Sequence, residues 1–288
     1  MTDVAVVIAT RDRRERVLAT LDRLASLPER PPVVVVDNGS VDGTVAAVRR
    51  RHPAVTVIGA RSDIGSAART VGVAAARTPL VAFADDDSWW APGALARASE
   101  HFGAHPQLGL LAARVVVEPG ARPDRTCAQM RDSPLRAPVP LPGPPVLGFL
   151  ACGAVARRAA LLACGGFPRR YGFGGEEAVV AMDLASAGWE LAYADDVVAH
   201  HEPARGPRPP RERREARNRL WSLWLRRPLS RALRGSPVGG RVLLSAARGL
   251  PWVLRERRPV PPHVERALRV LEAHGPAAGR APRAPARR

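Results

Sequence analysis

Apolar and polar positions in the first half of the chain come in blocks. Val4 to Ala9 is an unbroken, largely β-branched apolar run, the pattern of a strand covered on both faces. From Arg13 to Ser26 the apolar positions Val17, Leu18, Leu21 and Leu24 fall at helical spacing. Val33 to Val36 predicts a second buried strand, and Ser40 or Asp42 can cap a helix running to about Arg51. Val55 to Ile58 predicts a third strand, and residues 65–76 a helix of small residues. Leu80 to Ala84 predicts a fourth strand, which runs straight into Asp85-Asp86-Asp87. Pro92 suits the first turn of a further helix, and Leu108 to Val117 reads as another strand. Strands alternating with helices imply an α/β fold, a mostly parallel central sheet flanked by helices and joined by right-handed crossovers.

The pattern then changes. Residues 119–145 are rich in proline and predict a long loop, either a lid or a mobile segment. Val146 to Val155 is strand-like, and Arg157 to Cys164 predicts a short helix stopped by Gly165-Gly166. Glycines at 172, 174 and 175 lead into a helix from Glu176 to about Ala187. Leu191 to Tyr193 and Val197 to Ala199 predict two short strands ahead of His200-His201. A Pro/Arg-rich linker follows, then a basic helix over Arg211–Arg227 carrying Leu220, Trp221, Leu223, Trp224 and Leu225. The expected division is an α/β domain over 1–204, a basic helical C-terminal region over 205–276 and a disordered tail over 277–288.

Composition changes this picture in one respect. Apolar and charged fractions of 46% and 25% are ordinary for a globular protein, but the formal net charge of +17 is not. All 44 basic residues are arginine. Complete avoidance of lysine points to compositional bias in the coding sequence, with selection for an anionic partner as the alternative. Much of the excess lies after Arg205. A nucleic-acid-binding protein is disfavoured, because no base-stacking motif interleaves the arginines and acidic clusters lie where a phosphate backbone would pass. Cys127, Cys152 and Cys164 lack the spacing of a zinc site or a disulfide framework and are expected as free thiols in a reducing cytosol. The first apolar run is bracketed by Asp3, Arg11 and Asp12 and is too short for a signal peptide. No segment reaches the roughly 18 apolar residues of a membrane span, so a cytoplasmic location is expected.

The chemistry gathers at strand ends. Thr10-Arg11-Asp12, Asp37-Asn38-Gly39-Ser40 and Asp85-Asp86-Asp87 each follow a predicted strand, and α/β sheets bind ligands beyond the carboxyl ends of their strands. Neither a glycine-rich phosphate turn nor a nucleophile elbow is present. Three adjacent carboxylates repel one another. A hard divalent cation resolves that conflict and leaves positions open for phosphate. Asp37 can accept hydrogen bonds from a base or ribose, or start a turn with Asn38-Gly39. Glu176-Glu177 suits a helix start through the helix dipole; alternatively one of the pair removes a proton from an acceptor hydroxyl. His200-His201 are either surface residues or a source of a neutral imidazole ligand.

Taken in order, these motifs resemble the family 2 glycosyltransferases of the GT-A fold, from about Val4 to Pro228. The resemblance rests on Val-Val-Ile-Ala-Thr-Arg-Asp-Arg from Val6, Val-Val-Asp-Asn-Gly-Ser-Val-Asp-Gly-Thr from Val35, Asp63-Ile64-Gly65 with Ala68-Arg69, and Phe-Ala-Asp-Asp-Asp from Phe83. Gly-Gly-Phe at 165–167, Gly-Gly-Glu-Glu at 174–177, Ala-Gly-Trp at 187–189 and His-His at 200–201 complete it. It implies transfer of a sugar from a nucleotide-diphosphate donor to an acceptor hydroxyl, with Mn²⁺ or Mg²⁺, by a single inverting displacement; the alternative is another nucleotide-sugar or nucleotidyl transferase on the same fold. Thr10 and Arg11 would border the nucleotide, Asp37 its base or ribose, and Arg69 the base or diphosphate. Asp85 and Asp87 match the family's D-x-D. Asp87 is then the favoured metal ligand, with Asp85 and His200 as further candidates, and Asp85 or Asp86 lies near the ribose. Glu177 takes the place of the base, more often Asp in the family; the family's further acidic residue is Val179 here. Asp63 joins the nucleotide-binding set at a position commonly Asn. The acceptor is expected to be lipid-linked or an envelope glycan. The basic helix over 211–227 is expected either to touch anionic lipid peripherally or to pack its tryptophans onto the domain.

Overall fold

The computed structural model describes residues 3–203, 209–232 and 238–274. The first half runs β1 (Val4–Thr10), α1 (Arg14–Ala25), β2 (Val33–Asp37), α2 (Thr44–Arg51), β3 (Thr56–Gly59), α3 (Ala67–Ala75), β4 (Leu80–Asp85), β5 (Ser88–Trp90), α4 (Ala94–Ala104) and β6 (Leu108–Val117). It continues with β7 (Arg122–Pro123), α5 (Arg125–Arg131), β8 (Ala154–Arg157), α6 (Arg158–Ala163), α7 (Glu176–Ser186) and β9 (Glu190–His201). The C-terminal helices are α8 (Pro209–Arg226), α9 (Leu229–Ala232), α10 (Gly240–Ala247), α11 (Leu250–Glu256) and α12 (Pro262–His274).

The strands form one sheet in the order β3-β2-β1-β4-β8-β6-β9-β5, with β7 paired to β6. β3, β2, β1 and β4 are mutually parallel, as the block pattern predicts. Beyond them the sheet is mixed: β8 runs antiparallel to both β4 and β6, while β6 and β9 are parallel. Strand alternation divides the core in two. Ala5, Val7 and Ala9 pack with Ala68, Val73, Leu161 and Leu184 on one face. Val4, Val6 and Ile8 pack with Val17, Leu21, Val48 and Leu95 on the other.

Three elements differ from their sequence patterns. Val146–Val155 is largely buried, but strand geometry begins only at Ala154; before it, Val146 and Phe149 pack inward from irregular backbone and Cys152 from a short 3-10 helix over Ala151–Gly153. A single bridge between Pro145 and Ala192 is not extended into a ladder, and the glycines at 148 and 153 weaken any strand there. The proline-rich 119–145 segment contains β7 and α5. The two short strands expected before His200 are one strand, β9. Its register on β6 shifts between Ala113 and Arg114, so Asp195 and Asp196 bulge outward and are held by Arg131 and His101. A polar pair inside a strand can mark a bulge as well as a break.

The basic helix expected over 211–227 is α8, and it turns its apolar side inward. Leu220, Trp221 and Leu225 are buried with Tyr171, Val179 and Met182. The Trp221 indole N–H donates to the Ala246 carbonyl at 2.9 Å, and its ring meets Trp252 edge-on at 5.3 Å. These side chains are therefore unavailable to a membrane: packing onto the domain is what the structure shows. The tail expected to be disordered, 277–288, lies outside the described residues. Among the described residues no helix is long and apolar enough to cross a membrane.

Close packing of α3 on the sheet gives a direct test. A Cβ added at Gly72 would lie 2.4 Å from Val7 Cγ1. Gly72→Ala is expected to cost about 1–3 kcal/mol through overpacking, read as a lower urea midpoint. Gly103→Ala, on the exposed side of α4 with nothing within 4 Å, is expected to be neutral or to gain up to about 1 kcal/mol.

Candidate active site

The C-terminal ends of β1, β2 and β4 lie side by side, with Thr10 in register with Asp37 and Ala9 with Asp85. This edge opens into a cleft of about 380 Å³ lined by Thr10, Arg11, Arg13, Arg69, Asp85–Asp87, Cys152, Glu176, Glu177, His201 and Arg211, among others. Six carboxylates, Asp124 among them, face one space, and the neighbours of the three aspartates after β4 and the two glutamates of α7 differ sharply.

Asp85 accepts from Arg69 at 2.7 Å. Asp86 is buried and accepts from the Thr10 hydroxyl at 2.9 Å and from Arg13 at 2.5 Å. Burial outweighs the Arg13 charge and pushes the Asp86 carboxyl up to about 7. Asp87 is under the same burial pressure upward, but a hydrogen bond from His201 at 3.3 Å and the charge of Arg13 reverse it. Its carboxyl is held below the usual range. Its second oxygen meets Arg13 at 3.0 Å and Arg16 at 3.4 Å.

The glutamates opening α7 are unequal. Glu176 is buried, takes Arg69 at 2.9 Å and accepts the Gly174 backbone N–H at 2.5 Å. Glu177 is half-buried in the cleft wall and has no side-chain partner among the described residues. Burial and the neighbouring Glu176 charge raise its pKa above the carboxylate range, against the pull of Arg69. Its environment favours holding a proton.

Strand parity separates the two histidines. β5 pairs antiparallel with the end of β9, placing Ser88 opposite His201 and Trp89 opposite His200. Neighbours on a strand point to opposite faces. His201 therefore reaches the cleft beside Asp87, while His200 stacks on Trp89 at 5.4 Å and bonds Glu118 at 3.1 Å. His200, the histidine expected at the metal, is not among the groups brought together. His201 is, and Asp85, Cys152 and His201 each place one ligand atom within 4.8 Å of the others. The Cys152 thiol is pushed well up by burial. The remaining oxygen and nitrogen donors fit a harder ion such as Mn²⁺ or Mg²⁺.

Asp37 and Asp63 stand beside the cleft rather than in its wall. Asp37 Oδ1 accepts the Gly39 and Ser40 backbone N–H groups, while its buried Oδ2 has no partner. Asp63 takes Arg11 at 2.6 Å and the Gly65 N–H at 2.8 Å. Asn38 ties this loop to β2, donating to the Gly65 carbonyl and accepting from the Ile64 N–H. Gly65 (φ +60°) lies so close to Gly172 that a Cβ there would be 2.6 Å from the Gly172 Cα. Two loops far apart in sequence thus meet backbone to backbone. Arg13, Cys152 and Arg211 are cleft residues that motif reading did not single out. Arg13 alone carried a signal, as the last residue of the Val6–Arg13 motif.

The sequence of residues 5–163 matches the model of glycosyl transferase family 2. The N-acetylglucosaminyl-diphospho-decaprenol L-rhamnosyltransferase of Mycobacterium tuberculosis is 30% identical, with 82% of this chain and 91% of that protein aligned. Among solved structures, the mannosyltransferase PcManGT from Pyrobaculum calidifontis, in complex with GDP-Man and Mn²⁺, superposes with a TM-score of 0.64 at 23% identity, covering 98% of this chain and 77% of that one. S. aureus TarS 1–349 in complex with UDP-GlcNAc gives 0.60 at 17%, covering 87% and 72%.

The unequal glutamates predict opposite stability effects in metal-free protein. Glu176→Gln leaves Arg69 short of a buried counter-charge and is expected to cost about 3–5 kcal/mol. Glu177 has its folded pKa above the unfolded value of 4.5, so its ionisation penalises folding as pH rises through that window. Glu177→Gln is therefore expected to raise the melting temperature at pH 8, with the gain vanishing toward pH 4. Urea and thermal unfolding of both variants across that pH range check this.

Proposed function

The chain belongs to glycosyl transferase family 2 and is a glycosyltransferase, and on that premise we propose that it transfers a sugar from a nucleotide-diphosphate donor to an acceptor hydroxyl, with inversion and with Glu177 as base. The observation that carries this reading is the unpartnered Glu177 carboxylate facing the charged end of β4 across one cleft. The donor's nucleoside lies along β1 and β2. There the unpaired Asp37 Oδ2 accepts an N–H or O–H from base or ribose, with Thr10, Arg11 and Asp63 alongside. Arg69, Arg13 and Arg211 set positive charge about the diphosphate as its leaving oxygen gains negative charge. Asp85, Asp87 and His201 would hold Mn²⁺ or Mg²⁺, which supplies further charge against the departing diphosphate.

The chemical step is a single displacement. Glu177 takes the proton of the acceptor hydroxyl, and that oxygen forms a bond to the anomeric carbon on the face opposite the diphosphate. The carbon–oxygen bond to the phosphate breaks, and its electron pair departs with the nucleoside diphosphate. A carboxylate with a raised pKa is a stronger acceptor for that proton than a solvated one. The acceptor is proposed to be a diphospho-lipid-linked sugar, the substrate named for the mycobacterial relative.

Glu177→Gln is expected to lower transfer about 10²–10⁴-fold while nucleotide-sugar affinity, measured by calorimetry, changes by no more than a few-fold. Equal loss of both would make Glu177 structural. A screen of nucleotide sugars with Mn²⁺ is expected to raise the melting temperature for the true donor. Chelation should remove the rise, and turnover should release nucleoside diphosphate rather than pyrophosphate.

A further inference from the structure

Six of the eight large apolar side chains that stand exposed among the described residues lie after Arg227. Four belong to α10 and α11: Leu243, Leu244, Leu250 and Leu254 are 48%, 68%, 38% and 69% exposed. The two helices are joined by the short turn at Arg248-Gly249. Both are anchored on Trp221, one through the Ala246 carbonyl and the other through the Trp252 ring. Ala246, Trp252 and Val253 point inward, so the leucines are committed to the outer side of a fixed pair of helices.

The surrounding charge identifies what that side meets. Between Val238 and Arg258 there are five arginines and one glutamate, and Arg241, Arg248, Arg255 and Arg258 are exposed. Leucines set among arginines suit the boundary of an anionic bilayer. The apolar groups enter the acyl region there, and the guanidinium groups stay at the phosphates. A nucleic acid would leave the leucines in water. Residues 275–288 consist of Gly, Pro, Ala and Arg, so their sequence offers no large apolar group to cover the patch. We propose that the outer face of α10 and α11 docks this enzyme on anionic membrane lipid. The docking surface is separate from α8, whose Leu220, Trp221 and Leu225 are spent on the fold, and it does not depend on the chemistry proposed for the cleft.

Flotation of the full chain with vesicles tests this. The wild type is expected to float with 30% phosphatidylglycerol in phosphatidylcholine, and about tenfold less with phosphatidylcholine alone or in 0.5 M salt. Leu244→Glu with Leu254→Glu is expected to lower binding to the anionic vesicles at least tenfold at unchanged melting temperature. Arg241→Gln with Arg255→Gln should weaken binding and flatten its salt dependence. Ala104→Glu, at an exposed position of α4, should do neither. Failure of the wild type to float, or equal flotation of the double glutamate variant, overturns the proposal. So does a concentration-dependent dimer that the leucine substitutions dissociate without vesicle binding, since the patch would then be a self-association surface.

Discussion

One buried guanidinium holds the two walls of the cleft together. Arg69, from α3, reaches Asp85 at the end of β4 and Glu176 at the start of α7, with Phe167 and Phe173 within 5.4 Å of its charge. A buried arginine is tolerable only when its charge is matched, and each carboxylate is tolerable only because the arginine is there. That mutual dependence fixes where α7 begins relative to the sheet. It also decides which of two adjacent glutamates is committed and which is left open to the cleft.

Charge compensation extends outward from that point. Arg13 joins Asp86 to Asp87, and His201 completes Asp87 from the end of β9. The acidic run is thus a set of three carboxylates with three different neighbourhoods rather than one negative patch. Asp86 belongs to the fold through Thr10 and through its own carbonyl, which accepts from Thr20. Asp85 and Asp87 border the open space. The arginine excess noted in the composition is partly absorbed in the same way: Arg69, Arg226 and Arg227 each sit against acidic partners inside the protein.

What could be read from the sequence follows from how local its causes are. β1, β2 and β4 announce themselves because a strand buried on both faces must be apolar throughout, and the polar clusters at their ends mark the ligand edge. The family was legible for the same reason, since its motifs sit at those ends. The positions of Cys152, Arg211 and His201 depend on pairings with residues far off in the sequence, for which no local pattern exists. The His-His pair is the clearest case: type and strand were readable, but parity was set by Ser88 across the β5–β9 pairing. The basic helix was readable as helical and amphipathic. Which of its faces met protein depended on Trp252 and Ala246, far downstream.

The stack of Arg23, Trp89 and His200 outside the cleft has a consequence for chain length. Arg23 lies 3.6 Å from the centre of the Trp89 ring, and His200 stacks parallel to that ring within 8°. This stack pins the outward residue of β9 and so denies its neighbour any freedom to rotate away. Descent with loss or gain of one residue in that strand would exchange the inner and outer imidazoles in a single event. A change of length between the bulge and His201 would thus disturb the cleft, whereas one taken up at the bulge itself or in a loop would leave the imidazoles in place.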